Sequence, residues 1–289
     1  MSSPDRAVPS DVRTPSSVVS APPWASAAAF LPLVYRAFPG VSSRVLSDRF
    51  LLPWKRLPGL LGGAERTPLW VDGQRASFEI SGRGPLVILA HGWSGASGQF
   101  ATLREILLAA GFRVATFDAP AHGTSPGRTT SAAQFMRVIE HIARVHGPTL
   151  AVVGHSLGAL AAAMSVERVR PKGLVLLSPM PSFDFALDQF QQALRFDDRL
   201  RERVAVLVMN KARMERKFAQ VETGLGVGAP TLLIHDREDR RIPVAVSRDL
   251  AERHPHVEYV ETEGLGHSRV LVDESVLGRV RSFLLALRD

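Results

Sequence analysis

The sequence predicts an α/β fold built on a mostly parallel sheet with helices on both faces. Three observations lead there. Strand and helix patterns alternate from about residue 67 to the end, Leu86 to Ala90 is a short unbroken apolar run, and the turn Gly154-His155-Ser156-Leu157-Gly158 joins a strand pattern to a helix pattern. Alternation implies crossover helices. A run that is apolar at every position suits a strand covered on both sides.

The elements follow in order. Leu69–Val71 and Ala76–Ile80, joined through Asp72-Gly73, form a hairpin signal. After the Leu86–Ala90 strand, Phe100, Leu103, Ile106 and Leu107 recur at helical spacing, closed by Gly111. Val114–Phe117 is a strand, and Phe135, Val138, Ile139 and Ile142 mark a helix. Leu150–Val153, Leu157–Val169 and Leu174–Leu177 continue as strand, helix and strand. The alternation then stops for a helical-looking segment, Pro179 to Gly228, rich in Phe and Met. It resumes with a strand at Leu232–Ile234, a helix near Ala245–Arg253, a strand at Val257–Val260 and a last helix from Glu274 to Leu287.

Composition narrows the function classes. The chain has 289 residues, 45% hydrophobic and 22% charged, which suits a folded chain of one large or two small domains. It has no cysteine, so disulfides, thiolate zinc sites and cysteine nucleophiles are excluded. The net charge is +7, carried mainly by scattered arginines such as Arg199, Arg201 and Arg203 around Glu202. A nucleic-acid surface gathers its charge on one face, so no nucleic-acid partner is expected.

Residues 1–23 are rich in Ser, Pro and Ala and read as a disordered leader. Residues 24–66 read as an N-terminal extension packed on the core, cut into short pieces by Pro32, Pro39, Pro53 and Pro58. A sharper alternative makes residues 27–61, with their mixed aromatic and arginine content, a membrane-surface contact. No apolar run approaches the roughly 18 residues of a spanning helix. Trp24–Tyr35, the nearest approach to a signal core, contains Pro32 and lacks a charged segment before it, so a cytoplasmic protein is expected.

The chemistry centres on Ser156. A serine on a sharp strand-to-helix turn needs small neighbours, and it stands at the positive end of a helix dipole. The competing reading is a glycine-rich helix start in a Rossmann-like protein. A serine hydroxyl needs a base, and of nine histidines His267 is best placed, in the Gly264-Leu265-Gly266-His267 loop after the last strand. His155 is expected to pack locally, away from the serine's pocket, and His235, His254 and His256 to be surface or capping groups. The base needs an acid, and the loop His235-Asp236-Arg237-Glu238-Asp239 offers three carboxylates. Spacing does not choose between Asp236 and Asp239. The residue after the nucleophile, Leu157, supplies one oxyanion N–H.

Taken together, these motifs resemble the α/β-hydrolase fold superfamily, in its serine esterase/lipase-like branch with a small helical cap. The resemblance runs from about Leu69 to the C-terminus. It rests on His91-Gly92 after a strand, Asp118-Ala119-Pro120-Ala121-His122-Gly123-Thr124-Ser125, Gly154 to Gly158, the loop ending Ile242-Pro243, and Gly266-His267. It implies an eight-stranded sheet, a core of residues 67–178 and 229–289, and a cap of residues 179–228. In such hydrolases the acid loop commonly reads His-Gly-x-x-Asp-x-x-Val-Pro. That pattern puts the acid at Asp239 and leaves Asp236 where glycine is usual. The resemblance also makes Trp93 the second oxyanion donor, and His122 a brace for its own turn.

The function so implied is hydrolysis of carboxylic esters of small to medium acyl chain through an acyl-enzyme, with no metal or organic cofactor. Catalytic Ser156, Asp239 and His267 would act with the Trp93 and Leu157 N–H groups. The alternatives are a non-catalytic binding protein on the same fold or, among enzymes, an acyltransferase, peptidase or carbon–carbon bond hydrolase.

Overall fold

In Leu86–Ala90 successive side chains must enter two different cores, because a strand alternates its faces. The computed structural model, which describes residues 35–54, 57–59 and 67–288, shows this division. Leu86, Ile88 and Ala90 join one cluster with Phe135, Ile139 and Leu160, while Val87 and Leu89 join another with Phe100, Leu103 and Leu284. The expected leader, residues 1–23, and the Trp24–Val34 stretch lie outside the described residues, as does part of the 27–61 surface.

In chain order the elements are α1 (Pro39–Phe50), β1 (Thr67–Val71), β2 (Gln74–Ser81), β3 (Leu86–Ala90), α2 (Ala101–Ala109), β4 (Arg113–Asp118) and α3 (Ala132–His146). Then come β5 (Thr149–His155), α4 (Leu157–Val169), β6 (Gly173–Leu177), α5 (Phe183–Leu194), α6 (Asp198–Ala212) and α7 (Val221–Leu225). The chain ends with β7 (Thr231–Asp236), α8 (Ala245–Arg253), β8 (Val257–Thr262), α9 (Gly266–Arg269) and α10 (Glu274–Arg288).

The eight strands form one sheet in the order β1-β2-β4-β3-β5-β6-β7-β8. β1 and β2 pair antiparallel, as do β2 and β4, and every later pairing is parallel. The β1–β2 turn takes Asp72 and Gly73 at φ 50° and 77°, the left-handed pair that a two-residue hairpin requires. α3 and α4 cover one face, with Leu250 of α8, and α2 and α10 cover the other.

Register decides where the loops emerge. Ala90 pairs with Gly154, His155 with Leu177, Leu177 with Ile234, and Asp236 with Thr262. The loops after β3, β5, β6, β7 and β8 therefore leave the same edge of the sheet, where open α/β sheets bind ligands. Left-handed non-glycine residues gather here too: Ser94, Ala121, Ser156 and Ser178.

The segment between β6 and β7 is helical; α7 sends Val221 and Leu225 into the core beside α4, while α5 and α6 build a third core of their own. Phe183, Leu187, Leu200, Val204 and Val208 pack together with Leu46 and Leu51 at the end of the N-terminal extension. The extension differs from its sequence reading. Pro39 and Pro53 do not chop it into fragments; they bound a single 12-residue helix, with Pro39 in the first turn where its missing N–H costs nothing. α1 lies on α6, and Lys211 Nζ reaches Ser47 Oγ and Asp48 Oδ1, both at 2.7 Å. Its other side leaves Phe38, Val41 and Val45 exposed. Among the described residues no helix is long and apolar enough to cross a membrane.

Candidate active site

Serine at the start of a helix normally turns its hydroxyl back to cap the first free N–H groups, a contact worth about 1 kcal/mol. Ser131, Ser182 and Asp197 do this for α3, α5 and α6. Ser156 stands at the same position of α4 and makes no such bond. Its backbone is held at φ 53° and ψ −117°, a conformation that costs a non-glycine residue about 1–3 kcal/mol. Neighbouring bonds hold it there: Ser156 N donates to Leu177 O at 3.0 Å, and Ser156 O accepts Met180 N at 3.1 Å. Gly158 allows the turn to sit down on β3, since a Cβ there would collide with the Ala90 carbonyl. The hydroxyl is thus kept off the backbone at a strained, nearly buried position.

The loop after β3 comes up beside it. A Cβ on Gly92 would lie 3.2 Å from Ser156 Cβ. The Gly92–Gly95 turn closes through Gly95 N donating to Gly92 O at 3.0 Å, and Ser94 N donates to His122 Nε2 at 2.9 Å. The Trp93 and Leu157 N–H groups have no acceptor among the described residues. Two uncommitted backbone donors flanking a serine form a place where negative charge can be received. His122 Nδ1 donates to Pro120 O at 3.1 Å, so this ring braces the loop. His91, fully buried, donates from Nδ1 to Gly92 O at 2.8 Å and accepts Ala119 N on Nε2 at 3.2 Å. Burial holds its pKa below the ordinary imidazole value.

On the other side, His267 Nδ1 lies 2.7 Å from Asp239 Oδ2, both side chains being buried. Asp239 accepts three further bonds, from Arg241 N (2.8 Å), Ile242 N (3.0 Å) and His235 Nε2 (3.2 Å). Burial alone would raise its pKa, but the His235 and His267 bonds outweigh it and hold the carboxyl well below the usual range. Of the two carboxylates that spacing left open, Asp239 meets His267 and Asp236 does not. Asp236 instead accepts backbone N–H groups of its own and the neighbouring loop. The Ser156 hydroxyl makes no hydrogen bond to His267; such contacts are often loose without substrate.

Two histidines depart from their sequence reading. His155 does not pack locally. It reaches the His267 loop, donating from Nε2 to His267 O at 2.8 Å, with the rings 4.8 Å apart. Burial, with His267 beside it, pushes its pKa down to about 3. His235 is not a surface group but fully buried, taking Ser247 Oγ on Nδ1 at 2.7 Å. Both contacts join residues whose nearness only the folded sheet edge creates, although the histidine of the His-x-x-x-Asp spacing was visible. Among the described residues no three His, Asp or Glu side chains are grouped to hold a metal ion. A groove at the β1 edge, lined by Trp70, Arg137, Arg144 and Arg168, shares no residue with this site. Arg137 and Arg168 there are already paired with Asp72 and Glu140.

The fold and this edge define an α/β hydrolase with a serine at the turn between β5 and α4. Residues 87–277 match the model of the alpha/beta hydrolase family, and the chain belongs to that family. It is 30% identical over 238 residues to a pimeloyl-[acyl-carrier protein] methyl ester esterase of Xanthomonas campestris, covering 67% of this chain and 92% of that protein. An esterase of Pyrococcus furiosus shares the fold at TM-score 0.60 and 22% identity, over 81% of this chain and 98% of that one. So does Est1E of Butyrivibrio proteoclasticus with ferulic acid bound, at TM-score 0.63 and 20% identity, over 76% and 98%. The chain is a serine ester hydrolase of this family.

Proposed function

We propose that the protein hydrolyses carboxylic esters of small to medium acyl chain through an acyl-enzyme on Ser156. His267 acts as base and acid, Asp239 orients it, and the Trp93 and Leu157 N–H groups receive the oxyanion. The observation that carries the reading is the buried 2.7 Å contact of His267 Nδ1 with Asp239 Oδ2, at the sheet edge that also holds an uncapped Ser156.

The Ser156 hydroxyl adds to the ester carbonyl carbon while its proton passes to His267 Nε2. The imidazolium so formed is stabilised by Asp239, and the carbonyl oxygen, now an anion, takes the two N–H bonds, each worth about 3 kcal/mol in the transition state. Collapse breaks the C–O bond, and the alkoxide leaves with the proton from His267. Water then repeats the sequence, giving its proton to His267 and releasing the acid and Ser156. No group beyond the chain and water is required.

Residues 179–228 act as a cap that sets substrate choice, over a core of residues 67–178 and 229–289. The relatives' name makes methyl esters of acyl groups on a carrier protein the first substrates to assay, beside simple esters of graded chain length. The chain acts in the cytoplasm. Labelling with a fluorophosphonate probe tests the reading. Wild type should be labelled and Ser156→Ala should not, with ester turnover lost by several orders of magnitude at an unchanged melting temperature. Activity of Ser156→Ala within tenfold of wild type would refute it.

A further inference from the structure

We propose that Asp236 is a positioning residue for the Asp239–His267 pair, its one carboxylate stapling the acid loop to the base loop. The proposal rests on the reading of Asp239 and His267 as acid and base. Asp236 is fully buried at the end of β7, and each of its oxygens accepts two bonds. Oδ1 takes Glu238 N at 3.0 Å and Gly266 N at 2.8 Å, and Oδ2 takes Leu265 N at 3.0 Å and Thr262 Oγ1 at 2.8 Å.

The identity of these donors is what points to a role. Glu238 is the residue before Asp239, and Leu265 and Gly266 are the two residues before His267. Thr262 closes β8 on the same rung of the sheet as Asp236. The base loop turns through Gly264 and Gly266, at φ 79° and 61°, and its own side chains hold it only through Arg269, which donates to Gly264 O, and the packing of Leu265. Asp239 is anchored separately, by Arg241 N, Ile242 N and His235. Asp236 is the group that ties the Leu265 and Gly266 N–H groups to the acid loop. A glycine here, as in the resembling pattern, has no atoms to do this. The N–H bonds also outweigh burial and keep Asp236 ionised, so the staple holds through the neutral range.

A slack staple misaligns proton transfer without touching the ester, so the loss should fall on kcat rather than KM. Asp236→Asn turns one acceptor oxygen into a donor facing donors, and Asp236→Gly removes the group. For both variants we expect kcat on a short-chain ester to fall 10- to 100-fold, with KM within twofold. The low-field proton signal of His267 Nδ1–H should broaden, while circular dichroism and melting temperature report a folded protein at the assay temperature. Wild-type kcat, or a loss equal to the unfolded fraction, would overturn the proposal, as would failure of both variants to fold at 15 °C. Probe labelling keeps this separate from the parent reading. If Ser156→Ala still labels, the site assignment fails. If labelling needs Ser156 and Asp236→Asn keeps its kcat, only the staple fails.

Discussion

Two loops flank Ser156, and the groups nearest the working atoms hold them by different chemistry. Beside Trp93 the props are imidazoles: His91 and His122 accept backbone N–H groups on ring nitrogens and donate from the others, and the Asp118 carboxylate takes Ser97 N only further along the loop. The loop carrying His267 leans on carboxylates, Asp236 and Asp239, which between them accept five backbone N–H groups from Glu238 to Gly266. A carboxylate offers about four acceptor sites and can gather several strands of backbone at one point, whereas an imidazole accepts once and must stay neutral to do so. Carboxylates therefore suit the side where two loops must meet at a fixed distance. Histidines suit the side where one loop needs a single prop and its next N–H left free.

The largest expected effect lies on the carboxylate side. Asp239→Asn keeps the shape of the acid but makes it donate toward His267 Nδ1, forcing the wrong tautomer. Turnover should fall about 10³–10⁴-fold, well beyond the loss from Asp236→Asn, with binding of a non-hydrolysable substrate analogue unchanged. If Asp236→Asn were the more damaging, the acid would have to be reassigned.

A smaller loss should follow on the imidazole side. His122→Phe fills the same space but removes the acceptor of Ser94 N–H. Trp93 N–H would then drift rather than vanish, so the cost should be about 10–100-fold in kcat, below the 10²–10³ of a deleted oxyanion donor. A kcat equal to wild type, with the same melting temperature, would show that the prop does not set the donor.

The contrast between these sides was only half legible in the sequence. Ser156 stood out because a strained strand-to-helix turn demands glycine nearby, a local constraint written into five consecutive residues. The Asp72-Gly73 hairpin was legible for the same reason. Which partner His155 meets was not, because the contact spans residues 112 apart in the chain and exists only once β5 and the β8 loop share an edge. His235 is the last residue but one of β7, and alternation alone does not say whether a side chain so near a strand's end faces Ser247 or water. Pro39 and Pro53 read as breaks, yet Pro39 starts a helix whose partner, α6, lies some 160 residues away.

Phe190, in the helical segment between β6 and β7, belongs to neither loop and serves as a control. Phe190 packs edge-on against Phe50 and Phe196 at 5.3 and 5.9 Å, inside that segment's own core. Because the ring is only half buried, Phe190→Ala should destabilise by about 1–2 kcal/mol, less than the 3–5 of a fully buried phenylalanine. Short and medium esters should lose kcat/KM equally, tracking the fall in melting temperature. A changed chain-length preference at constant stability would instead make this side chain part of the acyl pocket.

The smallest effect is the most direct test of imidazole against carboxylate, because the two fail at different pH. His91 and His155 are buried neutral, with folded pKa values below 6.5, that of His155 about 3. As pH falls below 6.5 the unfolded chain takes up these protons and the folded one does not, so stability declines with falling pH and is unaffected above about 6.5. Asp118, whose burial is outweighed by N–H bonds from Thr124 and Ser97, has its pKa lowered to about 2. Its stabilisation is complete above 3.8 and is lost only as pH falls toward 2. Between pH 6 and 5, above the unfolded values of the carboxylates, the slope is therefore set by histidines. His155→Gln keeps a donor for His267 O but cannot titrate, and should reduce that slope by about 1.4 kcal/mol per pH unit, the worth of one proton. Urea titrations at half-unit intervals measure it. A slope unchanged in His155→Gln would mean that the buried neutral ring of His155 does not contribute to acid sensitivity, and that its bond to the His267 loop matters for geometry alone.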